Sequence, residues 1–433
     1  MHAHRRARLN FMRTRFITST QSMLQRLATT RMLHACALVM TLASTSLAHA
    51  ETHFVRAGSD WTSLASRVRA GDEILLGEGV HRSVVLERMI GDAQHPITIR
   101  PQAAQGLVEI APDREAIKLV DCAYVRIERI AVHKARRAGI VVEGTTAHSS
   151  HHISILDVLV TQSQGLAEEA GIVAREVDGL TVQRVRVENC AGAGVHLEHC
   201  ARAELEALQI FVRGENTARF GFNLVGTQES ITISKSLLRG RIESAISIGC
   251  KASLRAGAVI APFAAPSSAT KTKPDSTSTR VAAPTLTTLA HAIICADIRI
   301  EGATRALDVG SCDEATFRAV TIVDAHEEAY RISVPPPGCA PARVRFCDNL
   351  IVWKPDAMRR LGVVADGADA QGFTLGANLW WSTRFPATGE VLGTNAPRFP
   401  GKITVPQTID IDPNLDERLL PRTPSAMLFG ANV

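Results

Sequence analysis

Two glutamates, an arginine, a histidine and an asparagine recur at matching places in the chain. They are Glu143, Arg175, His196, Glu198 and Asn223. Carboxylate and amide oxygens, a guanidinium and an imidazole can bind ions, pair with charged groups or transfer protons. If the segments that carry them lie side by side, these side chains form one surface of a kind that suits an anionic polymer.

The segments that carry these residues are short, alternate in polarity and begin with a small or apolar residue. Their openings are Gly139-Ile140, Gly171-Ile172, Gly194-Val195, Gly221-Phe222, Ala245-Ile246 and Leu307. Alternation with period two places one set of side chains inward and the other outward. The outward set is predicted to comprise Lys118, Val141, Val173, His196, Asn223, Ser247 and Asp308, with Glu143, Arg175 and Glu198 two residues further along.

A longer pattern, apolar-x-apolar-x-x-apolar-x-apolar, recurs through the chain. Copies begin at Val125, Ile153, Leu180, Ala203, Ile231, Ile293, Ala315, Val344 and Phe373. Such a unit cannot bury its apolar face alone and must stack on its neighbours. The two-residue slip inside the pattern fits a bend between two short strands. The sequence therefore predicts an all-β protein, a right-handed parallel β-helix of about ten coils.

Small polar residues fit the same repeat. Asn349 and Asn378 take the third apolar position and predict an inward asparagine stack. Cys122, Cys200 and Cys312 each lie three residues before a long pattern, which indicates a small, partly buried turn position. Disulfides remain an alternative, because eight cysteines follow residue 50 and an even number permits pairing in an exported protein.

Residues 1–50 are predicted to be a signal peptide. Seven arginines precede the apolar stretch ACALVMTLASTSL, which ends near Ala48-His49-Ala50. An apolar core of about 13 residues is too short for a lasting membrane span. Its removal leaves 41 basic and 43 acidic residues, so the charge gives no indication of nucleic-acid binding. We expect an exported protein, periplasmic or extracellular, without a transmembrane segment after cleavage.

Residues 51–433 are predicted to form one β-helix domain. Within it, 51–110 would hold the N-terminal cap and first coils, with a short helix that Ser59 or Asp60 begins and that covers the open sheet edge. The Ala/Ser/Thr/Pro-rich stretch 261–290 predicts a flexible insertion, and 390–433 a closing segment.

The chain resembles a known family at both ends. The N-terminal segments AGDEILLGEGVHRSVVL and HPITIRP are similar to those of chondroitinase-B-like and alginate-lyase-like proteins, polysaccharide lyase family six of the pectin-lyase-like superfamily. The C-terminal segment IDIDPNLDERLLPRTPSA resembles the closing segment of many exported β-helix proteins. The family's lysine–arginine pair has no lysine counterpart here, since Lys134 and Lys235 fall off the face described above.

The resemblance implies β-elimination on an acidic polysaccharide. In that reaction a cation or guanidinium neutralises a uronate carboxylate, and a base removes the acidified C5 proton. For this reaction His196, as the base, and Arg175, as the group that neutralises the carboxylate, are the candidate catalytic residues. Calcium, if used, would take oxygens from Glu143, Glu198 and Asn223. Candidate substrate-binding residues are Lys118, Asn223, Ser247, Asp308 and Trp381, the last as an exposed stacking platform.

A non-catalytic role is the alternative. Alternating Glu, Arg and His on a strand face are also typical of cross-strand pairing and solvation. The protein would then be an envelope or surface β-helix that binds glycan or serves as a rigid rod. The expected partner is an acidic polysaccharide, nucleic acid is not expected, and the protein is expected to be a monomer.

Overall fold

Strands that pair in parallel make up nearly all of the regular structure. The computed structural model describes residues 50–103, 108–111, 114–145, 149–164, 169–249, 290–333, 342–353, 360–368, 372–382, 413–417 and 420–431. Within these ranges there are thirty strands and one short 3₁₀ helix. The predicted all-β class is therefore confirmed.

The strands follow one another in chain order with short connections. They are β1 (Thr52–Val55), β2 (Glu73–Leu76), β3 (Gly79–Arg82), β4 (Val84–Glu87), β5 (Ile97–Pro101), β6 (Val108–Ala111), β7 (Glu115–Val120), β8 (Val125–Glu128), β9 (Ala131–His133), β10 (Ala138–Glu143), β11 (Ser150–Leu156), β12 (Leu159–Thr161), β13 (Ala170–Arg175), β14 (Val177–Gln183), β15 (Arg186–Glu188), β16 (Ala193–Glu198), β17 (Ala201–Glu206), β18 (Gln209–Val212), β19 (Ala218–Val225), β20 (Gln228–Gly240), β21 (Ile242–Ile248), β22 (Ala290–Glu301), β23 (Arg305–Val309), β24 (Asp313–Val323), β25 (Glu328–Ile332), β26 (Val344–Cys347), β27 (Leu350–Trp353), β28 (Arg360–Val364), β29 (Phe373–Leu375) and β30 (Leu379–Ser382).

Each strand pairs with its counterpart in the next coil, so three parallel sheets run along the molecule. Sheet 1 contains β1, β2, β5, β8, β11, β14, β17, β20, β22, β24, β26 and β29. Sheet 2 contains β3, β6, β9, β12, β15, β18, β20, β22, β24, β27 and β30, the three long strands belonging to both. Sheet 3 contains β4, β7, β10, β13, β16, β19, β21, β23, β25 and β28. This arrangement is a parallel β-helix, as predicted.

The two consecutive x positions in the middle of the long sequence pattern lie at the corner between sheets 1 and 2. In eight coils one non-glycine residue there has a positive φ: Arg129, Asp157, Arg184, Ala207, Lys235, Asp297, Ala319 and Asp348. A single left-handed residue turns the chain so that the apolar residues on both sides of the corner face inward. This conformation costs about 1–2 kcal/mol for a residue with a Cβ, and the aliphatic core that it closes offsets that cost.

The interior is a continuous aliphatic core with one polar ladder. Asn349 and Asn378 are buried and stacked, and the Asn349 Nδ2 amide donates to Asn378 Oδ1 at 2.9 Å. Asn349 Oδ1 accepts from the Val320 backbone N–H at 2.8 Å, and its Nδ2 donates to the Phe317 carbonyl at 3.1 Å. The predicted inward asparagine stack is confirmed, and it satisfies backbone groups at the corner.

Four glycines form a column at the start of the sheet 3 strands: Gly139, Gly171, Gly194 and Gly221. A Cβ on any of the first three would lie 2.6–2.9 Å from the carbonyl oxygen of the next glycine in the column. Close backbone contact between coils therefore explains the glycine that opens these sequence motifs.

The N-terminal helix is shorter than predicted. It is a 3₁₀ helix at Thr62–Ser66, and the Asp60 carboxylate accepts the Thr62 backbone N–H at 3.0 Å. Leu64 and Trp61 are buried in the core. A single 3₁₀ turn therefore stands where a short capping helix was predicted.

The C-terminal segment packs against the outer face of sheet 2. Ala426 and Phe429 contact Leu350 and Trp381 in a small apolar cluster. Trp381 is 4% exposed. The predicted exposed platform at Trp381 is therefore wrong, because the closing segment covers that ring. Trp380 lies in the core, as predicted.

The described cysteines are free thiols. They are Cys122, Cys190, Cys200, Cys295, Cys312 and Cys347. The Cys200 thiol donates to the Ala174 carbonyl at 3.5 Å, which agrees with a buried turn position. Cys250 and Cys339 lie outside the described residues, as do the predicted signal peptide, apart from Ala50, and nearly all of the predicted insertion at 261–290. Among the described helices, none has the length and apolarity to cross a membrane.

The corner from sheet 3 to sheet 1 differs greatly in length between coils. Two residues separate β16 from β17, whereas 41 separate β21 from β22. The coils on either side of the long connection nevertheless stack directly, since Ile231 pairs with Ile293 and Ser247 with Asp308.

Candidate functional site on the outer face of sheet 3

The outward residues of sheet 3 lie in rows that cross the coils. Strand pairing aligns Lys118 with Val141, Val173 with His196, His196 with Asn223, and Asn223 with Ser247. Ser247 then aligns with Asp308. The predicted register is confirmed along this whole row, and the roles assigned to its members stay predictions.

The second outward row, Glu143, Arg175 and Glu198, forms a chain of ion pairs together with Lys118 of the first row. Lys118 Nζ lies 2.6 Å from Glu143 Oε2, and Arg175 Nη1 lies 2.9 Å from Glu143 Oε1. Arg175 Nε donates to Glu198 Oε2 at 3.1 Å. Two cations and two carboxylates therefore alternate along the face, and their charges cancel.

Electrostatics favour the ionised form of Glu143. Partial burial alone would raise the pKa of Glu143, but the hydrogen bond and charge of Lys118, together with Arg175, hold it below its usual value. Glu143 is the only carboxylate of this row with two cationic partners in the described part of the chain. Losing one partner would still leave it paired.

His196 is buried beside this chain. Its ring is 1% exposed, and the Asn223 Nδ2 amide donates to its Nδ1 at 3.0 Å. Its Nε2 has no hydrogen-bond partner among the described residues. Burial lowers the pKa of His196 to about 4, and the positive charge of Arg175 adds to that shift while Glu198 opposes it. The imidazole is therefore neutral at neutral pH.

The face is less open than alternation alone suggested. Asn223, Ser247 and Asp308 are 6%, 2% and 8% exposed. Asp308 accepts a short hydrogen bond from the Ser333 hydroxyl and lies 3.9 Å from Arg305. The expected open ladder is thus a largely buried polar row, in which Asn223 bonds His196 and Asp308 bonds Ser333.

A third outward row was missed in the sequence. Strand pairing aligns Ala193 with Phe220, Phe220 with Ser244, and Arg305 with Glu328. Here the alternation is interrupted, because two consecutive residues, such as Gly139 and Ile140, both face the core. The alanine-rich part of this row packs with Val141 and Val173 in a second apolar cluster on the outside of the sheet.

The donor set does not favour a calcium ion. Glu143 and Glu198 direct carboxylate oxygens at Arg175, and the Asn223 amide is bonded to His196. Within the described ranges, no three His, Cys, Asp or Glu side chains are grouped as ligands of one metal ion. The carboxylates predicted for calcium therefore pair with Arg175, and the Asn223 amide orients His196 through its nitrogen.

Comparison with known proteins finds similar solved structures. No protein-family model and no curated protein matches the chain. A PL6 family alginate lyase, AlyGC, is 11% identical with a TM-score of 0.46; the likeness covers 88% of this chain and 56% of the lyase. A rhamnogalacturonan lyase is 11% identical with a TM-score of 0.46, covering 75% and 87% of the two chains.

A hydrolase is also among the similar structures. The GH136 lacto-N-biosidase from Eubacterium ramulus is 10% identical with a TM-score of 0.44, covering 78% of this chain and 68% of the biosidase. Polysaccharide lyases are thus among the proteins that the chain is similar to, as the sequence resemblance implied. With TM-scores below 0.5, these likenesses do not locate a site in the chain.

Proposed function

We propose that this protein is an exported enzyme that cleaves an acidic polysaccharide by β-elimination at the outer face of sheet 3. One observation carries the proposal. A neutral, buried imidazole, His196, and a guanidinium, Arg175, lie on neighbouring strands with their side chains on the same face. A base and a carboxylate neutraliser are the two groups that elimination next to a uronate carboxylate requires.

Arg175 would bind the substrate carboxylate. Its planar guanidinium can pair with a carboxylate through two parallel hydrogen bonds. Because Lys118 also pairs with Glu143, the Arg175 Nη1 group can exchange Glu143 for the substrate without leaving a carboxylate unpaired. The interaction withdraws charge from the uronate and acidifies its C5 proton.

His196 would then accept that proton at Nε2. The C5–H electron pair forms the C4–C5 double bond, the bond from C4 to the glycosidic oxygen breaks, and water protonates the leaving oxygen. Nε2 must be unprotonated for this step, so the Asn223 amide must present its oxygen to Nδ1–H in the reactive state. Because His196 is buried, this face must also open locally before substrate reaches Nε2.

A metal ion has no part in the proposed step. The Glu143 and Glu198 oxygens that calcium would need already pair with Arg175, and the Asn223 amide is bonded to His196 through its nitrogen. The chemistry is therefore assigned to the guanidinium and imidazole of this chain, and calcium remains an untested prediction from the resemblance.

A second candidate is a non-catalytic glycan-binding or structural rod. It is favoured by the cancelled charges of Lys118, Glu143, Arg175 and Glu198, since an internally paired row also serves to hold coils in register.

Cleavage distinguishes the two candidates. Purified protein is incubated with alginate, pectate, chondroitin and dermatan, with and without calcium, and the ultraviolet absorbance of unsaturated uronate products is followed. We expect a rise that Arg175→Ala or His196→Ala abolishes and that Arg184→Ala, at an exposed pair on another face, leaves intact. A flat trace with every polymer would contradict elimination and favour the rod.

A further inference from the structure

An open groove of about 600 Å³ runs along the edge of sheet 3 where its strands begin. It crosses successive coils and is lined by Thr217, Arg219, Arg241, Glu243, Thr304 and His326. These residues lie within two residues of the start of β19, β21, β23 or β25. The groove therefore borders the face that holds His196 and Asn223.

Two arginines give the groove its charge. Within the described ranges neither Arg219 nor Arg241 forms an ion pair, whereas Arg137, Arg175 and Arg184 are each paired with a carboxylate. Glu243, the one carboxylate of the lining, lies 3.5 Å from Arg305. The lining thus holds two arginines and one carboxylate, and because Arg305 pairs with that carboxylate, the net charge of the groove is positive.

The arginines are also placed along the helix axis. Arg219 and Arg241 belong to neighbouring coils, since the Ala218 backbone N–H donates to the Arg241 carbonyl at 2.9 Å. The pairing of Ala218 with Ile242 aligns Arg219 with Glu243, so Arg241 is offset from Arg219 by one coil and by two residues along the strand. The Arg219 guanidinium lies 5.3 Å from the centroid of the Phe220 ring, which restricts its motion.

We propose that this groove is a binding subsite for the carboxylate groups of an acidic polysaccharide that lies along the axis of the β-helix. Arg219 and Arg241 bind carboxylates of the polymer, each through its planar fork of N–H donors. The substrate class rests on the function proposed above, but the subsite does not depend on catalysis.

The proposed subsite is tested by measuring binding separately from cleavage. Calorimetry follows the binding of oligosaccharides of alginate and pectate, with neutral dextran as the comparison polymer. We expect the double variant Arg219→Ala/Arg241→Ala to lose about tenfold or more in affinity, corresponding to about 1.4 kcal/mol or more. Added salt should weaken binding by the unaltered protein more than by this variant, because exposed charges are screened.

A matched control removes the same charge elsewhere. Arg318 and Arg345 are exposed on sheet 1, away from the groove, and Arg318→Ala/Arg345→Ala should change the affinity by less than about twofold. Equal losses in both double variants, unchanged affinity in the groove variant, or no binding of either oligosaccharide would overturn the subsite. Equally tight binding of dextran would overturn it as well.

The same preparations separate the subsite from the enzyme. Binding that requires Arg219 and Arg241, without cleavage by the unaltered protein, supports the subsite and contradicts elimination. Cleavage that requires Arg175 and His196, with affinity unaffected in the groove variant, supports elimination and contradicts the subsite.

Discussion

The Asn223 side-chain amide donates to Nδ1 of His196 across two neighbouring coils, and both side chains are buried. An amide N–H can only donate, so Nδ1 must be the accepting nitrogen and the proton of the neutral ring is on Nε2. The state of this imidazole is therefore controlled by the orientation of one asparagine.

Protein stability should fall as pH is lowered from about 6.5 to about 4. The folded protein keeps His196 neutral down to about pH 4, whereas the unfolded chain binds a proton near 6.5. The unfolded state thus binds more protons in this window, which removes up to roughly 3 kcal/mol of stability as pH decreases. Denaturant unfolding across the window measures the effect. His196→Gln should flatten this part of the profile, and His95→Gln, at an exposed site, should not.

Removing Arg175 should destabilise the protein by roughly 2–4 kcal/mol, because Glu198 and Glu143 lose a cation in a partly buried row. Arg175→Met, compared by urea unfolding with the exposed Arg184→Met, should show the difference, since an exposed pair contributes at most about 1 kcal/mol. The triple variant Glu143→Gln/Arg175→Met/Glu198→Gln should recover much of the loss. Equal effects of the two single variants would contradict the description of this row.

Gly194→Ala should cost about 1–3 kcal/mol, because its Cβ would lie 2.6 Å from Ile210 Cδ1 and 2.8 Å from the Gly221 carbonyl. Gly77→Ala is the matched control, since a Cβ there meets nothing closer than 3.4 Å. Thermal unfolding of the pair tests whether backbone contact between coils requires the glycine column.

Asn349→Val should destabilise the last coils by about 1–3 kcal/mol. The substitution leaves the Val320 N–H and the Phe317 carbonyl without their buried partner. Hydrogen exchange at Val320 should increase along with the loss of stability. The exposed Asn216→Ala should leave both quantities nearly unchanged.

The Cys122 and Cys200 thiols should react slowly with a water-soluble thiol reagent in the native protein. Burial raises the pKa of Cys122 to about 11 and that of Cys200 to about 12, so the reactive thiolate is scarce at neutral pH. Mass spectrometry after brief labelling should find both residues unmodified. Rapid modification of Cys200 without unfolding would contradict its burial.

Period-two alternation explains why much of the site was predictable. It determines which side of a strand a residue faces, and so the sequence alone aligns His196, Asn223 and Ser247. It does not determine which neighbours cover a residue. The burial of Trp381 depends on Phe429, which is distant in sequence. The third outward row depends on a break in the inward–outward alternation, and the hydrophobicity of the residues does not reveal that break.

The long connection between β21 and β22 leaves the register of the coils on either side unchanged, as the pairing of Ile231 with Ile293 shows. The connection at this corner has two residues in one coil and 41 in another, so the corner is a suitable site for insertions. Loop closure costs only about 0.6 kcal/mol for each doubling of length. Foreign sequence, even a reporter domain, could therefore be inserted at this corner while the strand pairing between the coils stays the same.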